Sequence, residues 1–275
     1  MYKDIIVNLS VRSASKATGA YAISVAGALQ AHITGVAIAF IPNIPGASLG
    51  YLPIETIEAQ QRDNESAAEA AIKHFVTAAD AAGVAAEPRT LRVDFASAAE
   101  QLGHMARRYD LAIVGEVEPD VHSVEAMIAE AILFESGRPI IIVPYRQKAP
   151  LKLDRVMICW DGSRAAVRAV ADAMPLLELA GNIEVVSVVD ERGKHDDLQG
   201  TDMGLHLARH RLKVEVTRIP HHIDAAAALL SHSADTGADF MVKGGYGHSR
   251  LREFVLGGVT RSILSSLAVP TLMSH

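Results

Sequence analysis

Arg155-Val156-Met157-Ile158-Cys159-Trp160, followed by Asp161-Gly162-Ser163 and an Ala-rich stretch, repeats a pattern the chain has already used once. The first occurrence is Asp4-Ile5-Ile6-Val7-Asn8-Leu9, again followed by a polar break and an Ala-rich stretch. Four further pieces recur in the same order. Ile33 to Ala39 matches Ile183 to Val189, and Asp94-Phe95-Ala96-Ser97-Ala98 matches Asp224-Ala225-Ala226-Ala227-Ala228. Asp110-Leu111-Ala112-Ile113-Val114-Gly115 matches Asp239-Phe240-Met241-Val242-Lys243-Gly244. Arg138-Pro139-Ile140-Ile141-Ile142-Val143 matches Val269-Pro270-Thr271-Leu272-Met273. The offset falls from 150 to about 130 after the second match, so the first half carries about twenty extra residues between Phe40 and Gly83. Ordered recurrence of this kind marks a duplicated unit.

Within each half, short apolar runs alternate with helical periods, the pattern of βα units on a parallel sheet. The runs Ile140 to Val143 and Val185 to Val189 are almost wholly apolar, as strands covered on both faces should be. Helices are expected over Ser13–Gln30, Pro53–Ala82, Phe95–Arg108 and Val124–Phe134. In the second half they are expected over Ser163–Leu179, Gly200–Arg211, Ala225–Thr236 and Gly258–Leu267. The fold class is therefore α/β, with two tandem Rossmann-like or flavodoxin-like domains. Each is expected to be a five-stranded parallel sheet with helices on both faces. The domains divide as 1–148 and 149–275, at the polar joint Arg146-Gln147-Lys148-Ala149-Pro150. Two domains also suit a length of 275 residues.

Composition excludes several classes of function. A net charge of −6 argues against a nucleic-acid binder, which needs a basic face. Aromatic residues make up only 5%, leaving little for base or sugar stacking. One cysteine, Cys159, excludes a disulfide framework and a multi-cysteine zinc site. No apolar run approaches the roughly 20 residues of a membrane span, and no signal segment opens the sequence. A soluble, cytoplasmic protein without membrane or nucleic-acid partners is expected.

Ligands of open α/β sheets sit beyond the carboxyl ends of the strands at the switch point. There the second half reads Lys243-Gly244-Gly245-Tyr246-Gly247-His248-Ser249-Arg250, followed by Gly257-Gly258-Val259-Thr260. Glycines let backbone N–H groups approach an anion, and a helix starting near Gly258 aims its free N–H groups at the same point. Lys243, His248, Arg250 and Arg252 add positive charge. The same glycines could equally well turn a tight corner. A P-loop string is absent, the third glycine of a dinucleotide fingerprint is replaced by Arg250, and Gly247-His248-Ser249-Arg250-Leu251 lacks the closing glycine of a nucleophile elbow.

Gly244, two residues, Gly247, nine residues, Gly257 resembles the nucleotide loop of the universal stress protein family. Asp161 after the first strand, Ser187-Val188-Val189-Asp190 and the tail Leu267-Ala268-Val269-Pro270-Thr271-Leu272 resemble further parts of that family's pattern. The resemblance covers both halves, so the chain resembles a tandem member with an adenine nucleotide alpha hydrolase-like fold. It implies an adenine nucleotide, ATP with a Mg²⁺ ion, at Asp161, Val188, Gly244, Gly247, His248, Gly257, Gly258, Val259 and Thr260. It also implies a stress-response role, regulatory rather than metabolic.

Two departures matter. The family's ATP-binding members carry Ser or Thr where this chain has Gly258; losing one phosphate hydrogen bond costs about 1 to 3 kcal/mol. Thr260, one turn on, is a candidate substitute. In the first half, Ser10 replaces the aspartate, and the loop after Gly115 reads Glu116-Val117-Glu118-Pro119-Asp120. Three carboxylates and no glycine would repel a triphosphate. That half is expected to be degenerate, a built-in partner for the second. The final strands, Pro139–Val143 and Pro270–Met273, are expected to pair within the chain as an intramolecular pseudo-dimer. No general base is in view, so no catalytic residue is assigned; a slow ATP hydrolase and a non-nucleotide scaffold are the alternatives.

Other candidates carry less. Asp202, His206 and His210 share metal-ligand spacing on one helix face, but no further ligand is in view. His221-His222 reads as loop, and Cys159 as an inert buried thiol. The apolar stretch Phe40–Leu52 is expected to cover a cleft or to join two chains in a homodimer.

Overall fold

β1 (Asp4–Leu9), β2 (His32–Phe40), β3 (Ala86–Val93) and β4 (Leu111–Gly115) form a parallel sheet in the order β3-β2-β1-β4. The computed structural model describes residues 1–9, 16–42, 54–116, 124–189, 199–220, 225–245 and 267–275. Around the sheet lie α1 (Lys16–Leu29), α2 (Ile54–Ala82), α3 (Ala98–Ala106) and α4 (Val124–Glu135). β1 to β3 run to one side and β4 lies on the other side of β1. Right-handed crossovers therefore put α1 and α2 on one face and α3 on the opposite one.

The second half supplies β6 (Arg155–Cys159), α5 (Arg164–Leu177), β7 (Asn182–Val189), α6 (Gln199–Arg209), β8 (Val214–Pro220), α7 (Ala225–Thr236), β9 (Phe240–Gly244) and β10 (Thr271–Ser274). These strands make a five-stranded parallel sheet, β10-β9-β6-β7-β8. β5 (Ile140–Val143) adds a sixth strand antiparallel to β10, with Thr271 opposite Ile142 and Met273 opposite Ile140. That is the pairing expected of the two terminal strands. The chain forms two compact units, residues 2–115 with 120–138, and residue 1 with 116–119 and 139–275. By contact, β5 thus belongs with the second half, although by repeat it belongs to the first.

The duplication is legible in hydrogen bonds. Asp110 Oδ2 accepts from the backbone N–H of Lys3 (2.8 Å) and Asp4 (3.1 Å), tying the start of β4 to the start of β1. Asp239 Oδ2 accepts from Arg155 N–H (2.9 Å), tying the start of β9 to the start of β6. Two aspartates matched by the repeat do one job twice. The extra residues of the first half are also accounted for: α2 has 29 residues and its counterpart α6 has 11.

Asp94 closes a turn ahead of α3, so the helix expected from Phe95 begins only at Ala98, with Ser97 at its N-cap. Asp94 Oδ1 accepts from the N–H of Ala96 (2.9 Å) and Ser97 (3.0 Å), and its Oδ2 from the Ser97 hydroxyl (2.8 Å). These bonds hold its carboxyl below the usual carboxylate range. The counterpart Asp224, the apolar residues 43–52 and the helix expected over 258–266 lie outside the described residues. No helix among the described residues is long and apolar enough to cross a membrane.

Candidate functional site at the carboxyl edge of the second sheet

The switch point of the second unit lies between β6 and β9. Cys159 is level with Lys243 across the two strands, so Asp161 and Gly245 leave the sheet side by side. The Asp-Gly-Ser triplet makes the corner into α5. Asp161 Oδ1 accepts from Ser163 N–H (2.9 Å), and Gly162 takes a left-handed φ of 70°, which favours glycine. Ser163 then caps the helix, its hydroxyl accepting from Ala166 N–H at 3.1 Å. Asp161 is exposed at the edge.

β9 ends against the same helix. A Cβ on Gly244 would stand 2.6 Å from the Ala166 nitrogen and 2.7 Å from the Ala165 carbonyl carbon. Gly244 is therefore required by the close approach of α5 to β9, whatever else it does. Gly245 N–H donates to the Ser274 carbonyl at 2.6 Å, and His275 Nδ1 lies 3.0 Å from the Gly245 carbonyl. The end of β9 is thus held by β10 on one side and α5 on the other.

Val188 lies near the end of β7, half-buried and level with Ile219 of β8. Beside it, Trp160 continues β6 by donating its N–H to the Val186 carbonyl (2.8 Å). The Trp160 indole Nε1 and the Ser187 hydroxyl are buried and find no hydrogen-bond partner among the described residues. The first turn of α6 lies close to Ser187, where a Cβ on Gly200 would come within 3.1 Å of its hydroxyl. Sequence reasoning passed over both polar atoms, and nothing short of the packed sheet reveals that they are orphaned.

The remaining residues of the expected site, Gly247, His248, Gly257, Gly258, Val259 and Thr260, lie outside the described residues. So do His221 and His222. Asp161, Val188 and Gly244 are brought to one edge of the sheet.

Elsewhere the outcomes are plain. Cys159 is buried among Met157, Val186, Ala238 and Met241, and burial pushes its thiol up to about 12 against the smaller pull of Lys243. His206 and His210 meet edge to face, with ring centroids 4.9 Å apart. No group of three or more metal-ligating side chains is found among the described residues. Glu116, expected to act by repulsion, is instead buried, and its two oxygens accept from different backbone N–H groups: Leu267 (2.9 Å) on Oε1 and Tyr145 (3.2 Å) on Oε2.

Residues 152–275 match the model of the Universal stress protein family. That stretch, within the second repeat, is similar to members of the family. One universal stress protein relative, Slr1230 of Synechocystis, is 25% identical over 146 residues, which is 52% of this chain and 49% of that protein. The match therefore takes in about half the relative's length. A universal stress protein structure from Archaeoglobus fulgidus is 17% identical and superposes with a TM-score of 0.72. It covers 98% of this chain and 95% of its own, so the likeness in fold runs through both halves. A universal stress protein solved in complex with cAMP is 21% identical over 52% of this chain and 98% of its own, with a TM-score of 0.36. That cAMP complex is a property of the other protein.

Proposed function

We propose that the 149–275 repeat is an adenine-nucleotide receptor, with ATP its ligand, acting as a cytoplasmic stress-response regulator and not as a metabolic enzyme. The observation that carries this reading is the level exit of β6 and β9 at the switch point, which brings Asp161 beside the Gly244-Gly245 end of β9. Asp161 and Val188 would hold the nucleoside. Gly244, Gly247, His248, Gly257, Gly258, Val259 and Thr260 would hold the phosphates, with Mg²⁺ in attendance. Fit is supported by the orphaned Trp160 Nε1 and Ser187 hydroxyl at the nucleoside end, because buried donors without partners are costly unless something answers them. ATP would supply charge and hydrogen-bonding groups; Asp161 would orient the nucleoside while it keeps the α5 corner closed.

A scaffold that binds no nucleotide is the second reading. It is favoured by Gly244, whose glycine is already demanded by α5. Under either reading the first repeat acts as a built-in partner, supported by the β5–β10 pairing, and pairs of chains form a homodimer through the apolar 40–52 stretch. The decisive experiment releases bound small molecules by denaturing the purified protein and identifies them by mass. An adenine nucleotide recovered at near one per chain supports the receptor. None recovered, with no calorimetric response to added Mg·ATP, leaves the scaffold.

A further inference from the structure

Ser187 Oγ, Trp160 Nε1 and Ser274 Oγ are buried, find no hydrogen-bond partner among the described residues, and stand in one row across the second sheet. The register places them. Ser274 is level with Gly244, and Cys159 is level with both Val186 and Lys243. One residue further on, Trp160 stands between Ser187 and Gly244. The row therefore runs Ser187, Trp160, Gly244, Ser274 over β7, β6, β9 and β10. Level residues of neighbouring parallel strands share a face of the sheet. Gly244 and Ser187 show what covers that face: the first turn of α5, at Ala165 and Ala166, and the first turn of α6, at Gly200. Trp160 is only 9% exposed and Ser274 2%.

The first repeat is a control for this row. Its matched residues are Ala37, Leu9, Gly115 and Val143. Leu9 is level with Ala37, as Trp160 is with Ser187, and Ala37, Leu9 and Val143 are buried. The row thus packs without a polar side chain where the glycine motif is missing, and holds three where Asp161 and the glycines are present. Packing alone favours the apolar version, because a buried polar group without a partner costs stability.

Trp160 directly precedes Asp161, and Ser187 directly precedes Val188, the two residues assigned to the nucleoside. An indole N–H only donates, whereas a serine hydroxyl donates and accepts. The neighbouring hydroxyls of a ribose answer both, since each oxygen accepts and donates. From this row we infer that Trp160 and Ser187 are specificity-determining residues that hydrogen-bond the sugar hydroxyls, so that the site takes ribonucleotides and rejects nucleotides lacking those hydroxyls. The inference rests on the nucleotide reading above. Ser274 lies two strands from Trp160, about 10 Å away at the backbone, and is beyond reach of the same sugar.

The test measures affinity for Mg·ATP and for the Mg²⁺ complex of 2′,3′-dideoxy-ATP by calorimetry. Wild type should prefer ATP by at least about tenfold. Trp160→Phe and Ser187→Ala should each remove most of that preference, by weakening ATP and leaving the dideoxy compound unchanged. Ser187→Ala, which removes a single oxygen, carries the test should Trp160→Phe not fold. Ser274→Ala is the control and should keep the wild-type preference. Trp160 is the chain's single tryptophan, so its emission is a second readout: ATP should shift it and the dideoxy compound should not. Equal wild-type affinity for the two nucleotides overturns the inference. So does a preference that survives both substitutions, or one that is lost in Ser274→Ala as well. Wild type that binds neither nucleotide overturns the receptor reading, and the inference falls with it.

Discussion

At the residue scale, Gly244 and Glu116 both have physical tasks that their motif does not announce. Gly244 has the backbone of Ala165 and Ala166 where a side chain would go. Gly244→Ala must push α5 away from β9, and overpacking of this kind costs about 1 to 3 kcal/mol. Urea denaturation should show that loss; a midpoint equal to wild type would mean α5 is not seated as described. Glu116 makes a prediction in pH. Burial raises its pKa above the ordinary 4.5, so the folded state holds its proton more readily than the unfolded chain does. Its ionisation therefore costs stability at neutral pH, and that cost is relieved as pH falls through the raised value toward 4.5. Stability measured from neutral to mildly acidic pH should improve more in wild type than in Glu116→Gln. Parallel curves would show that the carboxylate is not desolvated.

At the element scale, the helices of one repeat are not copies of the other's. Long α2 reaches across β2 and drops Phe75 into the hollow left by Gly35, where a Cβ would lie 2.5 Å from the Phe75 ring. Val185 occupies the matching place in the second repeat, so the two repeats distribute volume differently between sheet and helix. Phe75 is fully buried, and Phe75→Ala should cost about 3 to 5 kcal/mol. Gly35→Ala should also destabilise, but combining it with Phe75→Leu should cost less than the sum of the two single changes. Strict additivity in thermal unfolding would separate the pair. Most of these elements could be read from the sequence, since apolar runs and Asp-Gly-Ser corners are local signals. The seating of Phe75 on Gly35 and the grip of Glu116 on Leu267 could not, because each joins residues far apart in the chain. The acidic run after Gly115 was legible as chemistry; the direction in which its first carboxylate turns was not.

At the scale of the whole molecule, duplication has left two repeats with unequal chemistry. The second keeps Asp161 and its glycines, while the first offers Ser10 and a carboxylate loop whose Glu116 is already occupied by two backbone groups. Titration with Mg·ATP is expected to give one site per chain, removed by Asp161→Ala and untouched by Ser10→Ala. Two equivalent sites per chain would contradict the division of labour. The fold class was legible here because a repeat is its own control: Asp110 and Asp239 could be matched by order alone, and the structure gives them the same bond. The phosphate loop was legible only as a spacing of glycines, and spacing does not distinguish a cradle from a corner.

The antiparallel bond between β5 and β10 also has a consequence for how the protein is made. During synthesis β5 leaves the ribosome a full repeat before the strand that covers its edge. Throughout that interval Ile140, Ile141 and Ile142 present an open, wholly apolar edge, a template for pairing with another nascent chain. The second repeat therefore completes its own sheet and shields the first repeat's last strand in a single closing event. Translation stalled before Thr271 should yield chains recovered with chaperones or in aggregates.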